Sequence, residues 1–375
     1  MKFSCDKYVL QQAAASAARA AAPKSPIAAL EGLLLEAGAD LRITGYDLKK
    51  AIYTNMEADI PEPGSVLVGA RLFCEMLRRM PDGIVTVEAE NGTVTVKCGR
   101  SAFNLVGMSA EDYPDLPSVE AENGVSLPQD LLKKMINECS FAVSTNESRP
   151  VYMGTLFEIA HNELTMVSVD GYRLALRREP VEGYGDDCSF IVPGTALSDL
   201  ERLCGDSDER VKMSVGSKHI SFTVGSTVIL SRRLEGDFLN YKKAIPESFR
   251  ITVKTARTDL LDVVERVSLI VDSKNNAPLR LTFRKDAIDF VCTTPLGKAA
   301  DSCPCEGDGG EPQGHAQERS CGHVGGVVHV AVHARQSHEG GGNGHSGGEL
   351  PGGLRVAGEP QCGGRAEGGG GVARG

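Results

Sequence analysis

Several features that would place a protein in a special class are missing from this sequence. It has no run of about 18 apolar residues to cross a bilayer, and its N-terminus lacks the apolar segment of a signal peptide. The 11 cysteines show no framework spacing, so we interpret them as reduced thiols, mostly packed as small apolar groups. We therefore expect a cytoplasmic protein with no membrane association.

Catalytic motifs are also missing. Gly297-Lys298 lacks the upstream glycine and the downstream serine or threonine of a phosphate-binding loop. The many carboxylates form no paired motif of a metal-dependent nuclease or polymerase. His161 and His219 have no partner motif, which is typical of surface histidines. We expect no intrinsic catalysis, no cofactor and no metal site.

What is present is an ordinary globular composition. The 375 residues are 41% apolar and 24% charged, which predicts two or three domains that can each bury a core. The formal charge of −10 argues against a protein that coats nucleic acid by bulk electrostatics. It leaves room for local basic faces that contact phosphates without reading sequence.

Three amphipathic helical patterns recur along the chain, over 6–20, 128–142 and 256–271. They begin 122 and 128 residues apart, a spacing typical of compact domains. Alternating strand patterns follow each one, and then a strand, a helix and more strands start again in the first two repeats. Each complete domain therefore consists of two similar halves, which predicts an α+β fold.

Both complete repeats end in a segment with aromatic residues and proline, at 111–117 and 236–246. Proline fixes φ and ends strands, so we interpret these segments as interdomain connectors. The predicted domains are 1–122, 123–247 and a partial third domain at 248–311, followed by a tail at 312–375.

The stretch 167–178 predicts a β-hairpin. Its two ends alternate as strands do, and Asp170-Gly171 supplies a pair that tolerates the left-handed turn conformation. Looser versions recur at 44–48 and 294–298, which supports the repeat. Without further information, a hairpin packed on its own core explains the pattern as well as a binding surface does.

Five motifs follow one another along the chain: Met1-Lys2-Phe3, the segment 149–158, the hairpin 170–175, Glu235-Gly236-Asp237-Phe238 with Tyr241, and Arg266-Val267-Ser268-Leu269-Ile270. On these motifs, residues 1 to about 311 resemble the bacterial sliding clamp, the beta subunit of DNA polymerase III. The resemblance implies an α+β, three-domain DNA clamp. Each domain has two β-α-β-β-β-like halves, with helices lining the interior of a ring and sheets outside, and here the third domain is incomplete.

The resemblance implies a processivity factor, an accessory subunit of the DNA-directed DNA polymerase (nucleotidyltransferase) holoenzyme in DNA replication. Its ring would hold duplex DNA through sequence-independent phosphate contact, because base readout would create stopping points. Lys24 matches a basic DNA-contacting position of the family. Taken singly, each helical cation fits a plain solvated face equally well. The candidates on the helices are Lys7, Arg19, Arg71, Arg78, Arg79, Lys133, Lys134, Arg202, Arg257 and Arg266.

In the family, the hairpin forms one wall of an apolar pocket. That pocket accepts short linear motifs of the polymerase alpha subunit, the clamp loader and repair proteins. This sequence has Val169 where threonine is common and Leu239 where proline is common, and we expect the pocket to remain apolar. The positions that match are Tyr152, Val169, Gly171, Arg173, Leu174, Leu239 and Ala244.

The resemblance also implies a head-to-tail homodimer. With half of the third domain missing, its opening helix lacks packing support, so we expect weak ring closure. Sedimentation would test this, and a stable dimer would contradict it. The positions implied at the subunit interface are Lys97, Arg100, Phe103 and Leu105, against Leu269 and Ile270 of the partner.

The tail after Glu311 has lost isoleucine, methionine, phenylalanine, tyrosine and lysine, while glycine and histidine accumulate. Such a segment should be disordered, and its composition suggests a reading-frame shift and a non-functional clamp copy. Sequencing reads across the codon for Glu311 would show whether the reading frame shifts there. The alternative is a clamp-like body with a zinc-binding tail, which zinc analysis would decide. Its ligands would be Cys321, His323, His329, His333 and His338.

Overall fold

The computed structural model describes residues 1–119, 124–171, 173–181, 187–245, 251–271, 279–307, 329–334 and 352–357. They form two compact units, Met1–Leu239 and Asn240–Gly375. None of the helices in these ranges is both long and apolar enough to cross a membrane. The helices are α1 (Lys7–Ala18), α2 (Ala70–Arg79), α3 (Gln129–Ser140), α4 (Gly194–Leu203), α5 (Tyr241–Ala244) and α6 (Arg257–Ser268).

The first unit begins with two β-α-β-β-β halves, as the sequence predicts. A short strand precedes the first helix, which the helical pattern at 6–20 alone did not indicate. That strand ends at Asp6, whose carboxylate caps α1 by accepting the N–H groups of Tyr8 and Val9 at 2.8 and 3.2 Å. The strands are β1 (Lys2–Asp6), β2 (Gly32–Ala37), β3 (Leu41–Tyr46), β4 (Lys50–Met56), β5 (Asp59–Glu62), β6 (Gly64–Gly69), β7 (Ile84–Glu90), β8 (Thr93–Cys98) and β9 (Ser101–Val106).

The central part of this unit repeats the pattern. Its first strand, β10, again precedes a helix, and the helix α3 that follows spans most of the predicted range. The hairpin predicted at 167–178 forms between β12 and β13, whose register places Val169 opposite Leu174. The strands are β10 (Gly124–Pro128), β11 (Gly154–Ala160), β12 (Glu163–Val169), β13 (Leu174–Pro180), β14 (Cys188–Pro193), β15 (Arg210–Val215), β16 (His219–Val224) and β17 (Thr227–Arg232).

The two halves of each domain exchange their first strands. β1 pairs with β7 of the second half, and β6 pairs with β2 of the first half. In the same way β10 pairs with β15, and β14 pairs with β11. Each half therefore depends on the other to complete its sheet.

A continuous sheet joins the N-terminal and central parts. β4 pairs antiparallel with β17, so eight strands run in the order β10-β15-β16-β17-β4-β3-β2-β6. Ile52 of β4 and Ala20 after α1 belong to the buried cluster of the central part. At Gly45 a side chain is impossible, because a Cβ atom would lie 2.0 Å from the carbonyl oxygen of Ala17. The β4–β17 pairing and the burial of Ile52 and Ala20 in the central cluster make Met1–Leu239 one unit with two main cores.

The second unit contains one complete half and its core. Val253, Val263, Val267, Phe283 and Phe290 are buried together. In the described part of the chain β19 pairs only with β20, whereas its equivalents β2 and β11 each have two partners. The third domain is therefore incomplete, as the sequence implies. The strands are β18 (Ile251–Lys254), β19 (Leu279–Phe283), β20 (Ala287–Thr294), β21 (Gly297–Pro304), β22 (Glu306–Gly307), β23 (His329–Ala334) and β24 (Gly352–Ala357).

The tail differs from the expectation of disorder at two places. β23 and β24 pair with each other, and β24 also pairs with β18. Both stretches alternate the few remaining branched apolar residues, Val330 and Val332 in one, Leu354 and Val356 in the other, which favours strands. The rest of the predicted disordered tail lies outside the described residues.

Candidate functional site

Nearly all the helical cations lie on exposed helix faces. In the first unit α1 packs beside α2, and α3 packs beside α4, so cations on these helices share paired surfaces. Lys24 is exposed in the connection that follows α1, as predicted. Lys133 is half-buried. The exposed candidates are Arg19, Lys24, Arg71, Arg78, Arg79, Lys134 and Arg202 in the first unit, with Arg257 and Arg266 in the second.

Lys7 does not belong to this set. Its side chain is only 10% exposed, and its ammonium lies 3.3 Å from a carboxylate oxygen of Asp82. Its backbone N–H donates to the carbonyl of Gly83 at 2.9 Å. The prediction that Lys7 faces DNA is therefore contradicted, since the start of α1 packs against the segment after α2. Helical periodicity alone carries no information about this contact.

Several of the exposed cations have acidic neighbours. Arg79 and Arg78 lie 2.9 and 3.5 Å from Glu75, whose pKa is lowered by the hydrogen bond from Arg79. Arg266 lies 2.7 Å from Asp301 and lowers the pKa of that carboxyl through the same kind of hydrogen bond. Exposed ion pairs contribute little stability, so an incoming phosphate competes with them readily.

A second group of cations forms no ion pair with a described carboxylate. Within the described residues, no carboxylate lies at ion-pairing distance from Lys24, Arg71, Lys134, Arg202 or Arg257. Unpaired cations contact phosphates without first breaking a bond. They are the strongest candidates for sequence-independent contact with a polyanion.

The β12–β13 hairpin fixes one arginine at its tip. The Arg173 Nε–H donates to Asp170 Oδ2 at 2.8 Å, and its backbone N–H donates to Oδ1 at 3.1 Å. The guanidinium carbon lies 5.5 Å from the ring centre of Phe141, within cation–π range. Gly171 has φ +95°, which only glycine adopts readily. Tyr172 lies outside the described residues.

The apolar residues predicted around this hairpin differ in exposure. Val169 is buried and Leu174 half-buried, while Gly171 is exposed and Leu239 is 40% exposed. Ala244 lies in α5 of the second unit. Tyr152 packs edge-to-face on Phe238, with ring centres 5.6 Å apart. Phe141 and Phe238 were absent from the predicted set, and their aromatic character was the available signal.

The N-terminal repeat has a filled counterpart of this hairpin. The Asp47 N–H donates to the Lys50 carbonyl at 3.1 Å, as the Asp170 N–H does to Arg173 at 3.3 Å. There, however, Leu230 of β17 packs with Tyr46 and Ala51 in a buried cluster. The same cluster holds Tyr113 of the connector, and burial raises the pKa of its hydroxyl. A neighbouring strand therefore covers this position in the N-terminal repeat.

The predicted interface residues lie at exposed edges. β9 is the last strand of its sheet, and on it Phe103 is 42% exposed and Leu105 half-buried. Lys97 on β8 and Arg100 in the next turn are exposed. Leu269 at the end of α6 is 83% exposed, and Ile270 packs partly on the core of the second unit.

Among the described residues, no group of three or more His, Cys, Asp or Glu side chains could hold a metal ion. Of the zinc ligands considered for the tail, Cys321, His323 and His338 lie outside the described residues. His329 and His333 are in β23.

Comparison with known protein families matches two segments of the chain. Residues 1–117 match the DNA polymerase III beta subunit, N-terminal domain, and residues 126–240 match its central domain. The beta sliding clamp of Bacillus subtilis is 28% identical over 316 residues, which cover 80% of this chain and 83% of that protein. The beta sliding clamp of Staphylococcus epidermidis is 30% identical over 287 residues, covering 74% and 76%.

Solved structures agree with the sequence comparison. The DNA polymerase sliding clamp of Bacillus subtilis superposes with a TM-score of 0.80 at 26% identity, covering 83% of this chain and 86% of that one. A sliding clamp of Pseudomonas aeruginosa, solved bound to griselimycin, gives a TM-score of 0.78 at 26% identity, covering 83% and 85%.

Proposed function

Because this chain belongs to the DNA polymerase III beta subunit family, the bacterial sliding clamps, we propose that it acts as a processivity factor. It is a non-catalytic accessory subunit that tethers the replicative polymerase to duplex DNA. We place its action in the bacterial cytoplasm, where the chromosome lies. The observation that carries the proposal is the family fold together with unpaired cations on exposed helix faces.

The DNA-facing surface we propose is the set of exposed cations on α1 to α4 and α6, without Lys7. A sliding protein needs contacts that are equivalent at every base pair, and phosphates provide them. The unpaired Lys24, Arg71, Lys134, Arg202 and Arg257 suit this role because each can meet a phosphate directly. An overall charge of −10 keeps these contacts weak and local.

We propose that two copies join head to tail. At the β4–β17 junction, the last strand of a first half pairs with the last strand of a second half. β21, the last strand of a first half, and β9, the last strand of a second half, also lie at sheet edges. By the same rule β21 of one copy pairs with β9 of the other, which brings Leu269 and Ile270 towards Phe103 and Leu105. Closure should be weak, since the third domain lacks its second half.

The hairpin surface is the proposed docking site for short linear motifs of the polymerase alpha subunit, the clamp loader and repair proteins. Tyr152, Val169, Leu174 and Leu239 supply apolar contacts, and Arg173 supplies a fixed donor for a carboxylate or carbonyl. The griselimycin-bound relative shows that a clamp of this family accepts a bound ligand.

Primer extension tests the proposed function. A bacterial replicative polymerase and clamp loader would copy a primed circular template with and without this protein. We expect longer products with it, and Arg173→Glu should shorten them. Arg178→Glu, an exposed change on the strand β13 that follows Arg173, is the matched control and should behave like the wild type. Product lengths that do not respond to the protein would reject the proposal.

A further inference from the structure

Among the described residues, β13 is an edge strand of its sheet, and its N-terminal counterpart is not. In the part of the chain that the structure describes, β13 pairs with β12 alone, whereas the equivalent strand β4 pairs with both β3 and β17. An open strand edge presents unpaired N–H and C=O groups that another strand can complete. The β4–β17 junction shows what kind of strand fits such an edge.

Three features define that junction. Ala51 lies opposite Leu230, and Tyr53 lies opposite Val228. The incoming strand buries its apolar residues, with Leu230 only 5% exposed. An ion pair between Lys50, the first residue of β4, and Asp199 of α4 fixes the end of the strand pair. Strand pairing, apolar burial and charge pairing therefore coincide.

The acceptor side of this arrangement is repeated at β13. The turn hydrogen bond from Asp47 to Lys50 matches the one from Asp170 to Arg173, and this aligns the two hairpins. In this alignment Arg173 corresponds to Lys50, Leu174 corresponds to Ala51, and Leu176 corresponds to Tyr53. Arg173 keeps the positive charge of Lys50. Its side chain is 56% exposed despite its bond to Asp170, so its outer N–H groups can donate to a second carboxylate.

The donor side is repeated at β9 and α2. β9 and β17 are the last strands of equivalent halves, and Ala102 lies opposite Lys97 as Val228 lies opposite Thr223. Phe103 therefore takes the place of Ile229 as the apolar residue of the strand, and Asn104 takes the place of Leu230. In α2, Glu75 is the sixth residue, as Asp199 is in α4, and both helices have ten residues. The Glu75 side chain is 45% exposed.

We propose that the β13 edge is a self-association site that accepts β9 of a second copy of this chain. Ala102 would lie opposite Leu176, Asn104 opposite Leu174, and Glu75 of one copy would meet Arg173 of the other. At the far end of β13, Arg178 adds a charge and Pro180 lacks an N–H group, so both disfavour strand pairing there. The proposed pairing is therefore confined to the apolar end of β13. The contact goes beyond the proposed ring and competes with it, because both use β9.

Charge reversal tests this contact. Sedimentation velocity across the micromolar range would compare the wild type with Arg173→Glu, Glu75→Arg and the double variant. Each single variant places like charges together and should weaken association about tenfold, while the double variant restores it. All of these chains also carry Leu269→Asp, which disturbs only the proposed ring contact, so that the ring does not contribute to the association measured. Arg173→Glu that associates like the wild type, or a wild type that stays monomeric, would overturn the proposal.

Disulfide trapping gives an independent reading of the register. A mixture of Ala102→Cys and Leu176→Cys chains should form a cross-linked dimer on mild oxidation, identified by peptide mass. A mixture of Ala102→Cys and Leu174→Cys chains, two residues out of register, should cross-link no more than the wild type. Equal yields from both mixtures would reject the proposed pairing. Glu75→Arg that loses this contact but keeps its activity in primer extension would leave the proposed function standing, because Glu75 is not part of the proposed motif-docking site.

Discussion

The ion pair between Lys50 and Asp199 is the contact that we expect to hold the N-terminal and central parts together. The Asp199 side chain is only 8% exposed, and that of Lys50 is 14% exposed. Arg19 lies farther from Asp199, at 3.9 Å. Asp199→Asn keeps the shape of the side chain and removes its charge, which leaves the Lys50 ammonium largely buried without a carboxylate.

The structure sets the size of the effect. Removing one member of a buried pair typically destabilises a protein by about 3 to 5 kcal/mol. Because Lys50 retains some exposure, we expect about 3 kcal/mol for Asp199→Asn. Lys50→Met leaves Asp199 with Arg19, so we expect about 2 kcal/mol. The double variant removes both charges and should lose only about 2 kcal/mol, a coupling of about 3 kcal/mol.

Hydrogen exchange measured by mass spectrometry shows how easily the amides at the β4–β17 junction open. The amides of β4 and β17 should open more easily in each single variant, while the core strand β11 should change less. Lys49→Met is the matched control, because the neighbouring lysine is exposed, and it should shift stability by less than about 0.5 kcal/mol. If Asp199→Asn behaved like Lys49→Met, or if the two single effects simply added, the pair would not hold the junction.

Three further changes test other parts of the structure. Phe157 is fully buried and stacks on Phe190 at 5.5 Å, so Phe157→Ala should lower the free energy of unfolding by about 3 to 5 kcal/mol, while exposed Phe141→Ala should change it little. Burial raises the pKa of the Cys5 and Cys139 thiols to about 12, above the unfolded value near 9, so urea stability should fall as pH rises from 9 towards 12. Replacing both with alanine should flatten that dependence, and an unchanged pH profile would contradict this reasoning. Lys134→Ala should reduce the salt dependence of duplex DNA binding by about one unit of slope, and Lys218→Ala, in a turn between sheet strands, should not.

Local patterns carried most of the secondary structure. Alternation and helical spacing placed the helices and most strands to within a few residues, because each element buries one face in a core of its own domain. Asp170-Gly171 predicted the hairpin because few residue pairs other than those with glycine form so tight a turn. The left-handed φ of Gly171 is the physical reason.

Features that depend on contacts between distant segments could not be predicted from alternation and helical spacing. The exchange of β1 and β6 between halves, the β4–β17 pairing and the burial of Lys7 beside Asp82 all join segments far apart in the chain. The short strand β1 was missed because five residues give too little alternation to separate it from the helix that follows. β23 and β24 were missed because the glycine-rich composition of the tail outweighed their short apolar alternation.

The central claim is that this chain is a clamp that holds DNA by encircling it. Retention on nicked circular DNA after loading by a bacterial clamp loader tests it most directly. We predict that the protein stays on the circle at moderate salt, leaves when the DNA is cut to a linear form, and leaves sooner than a complete clamp does. Equal retention on circular and linear DNA under the same conditions would contradict encirclement.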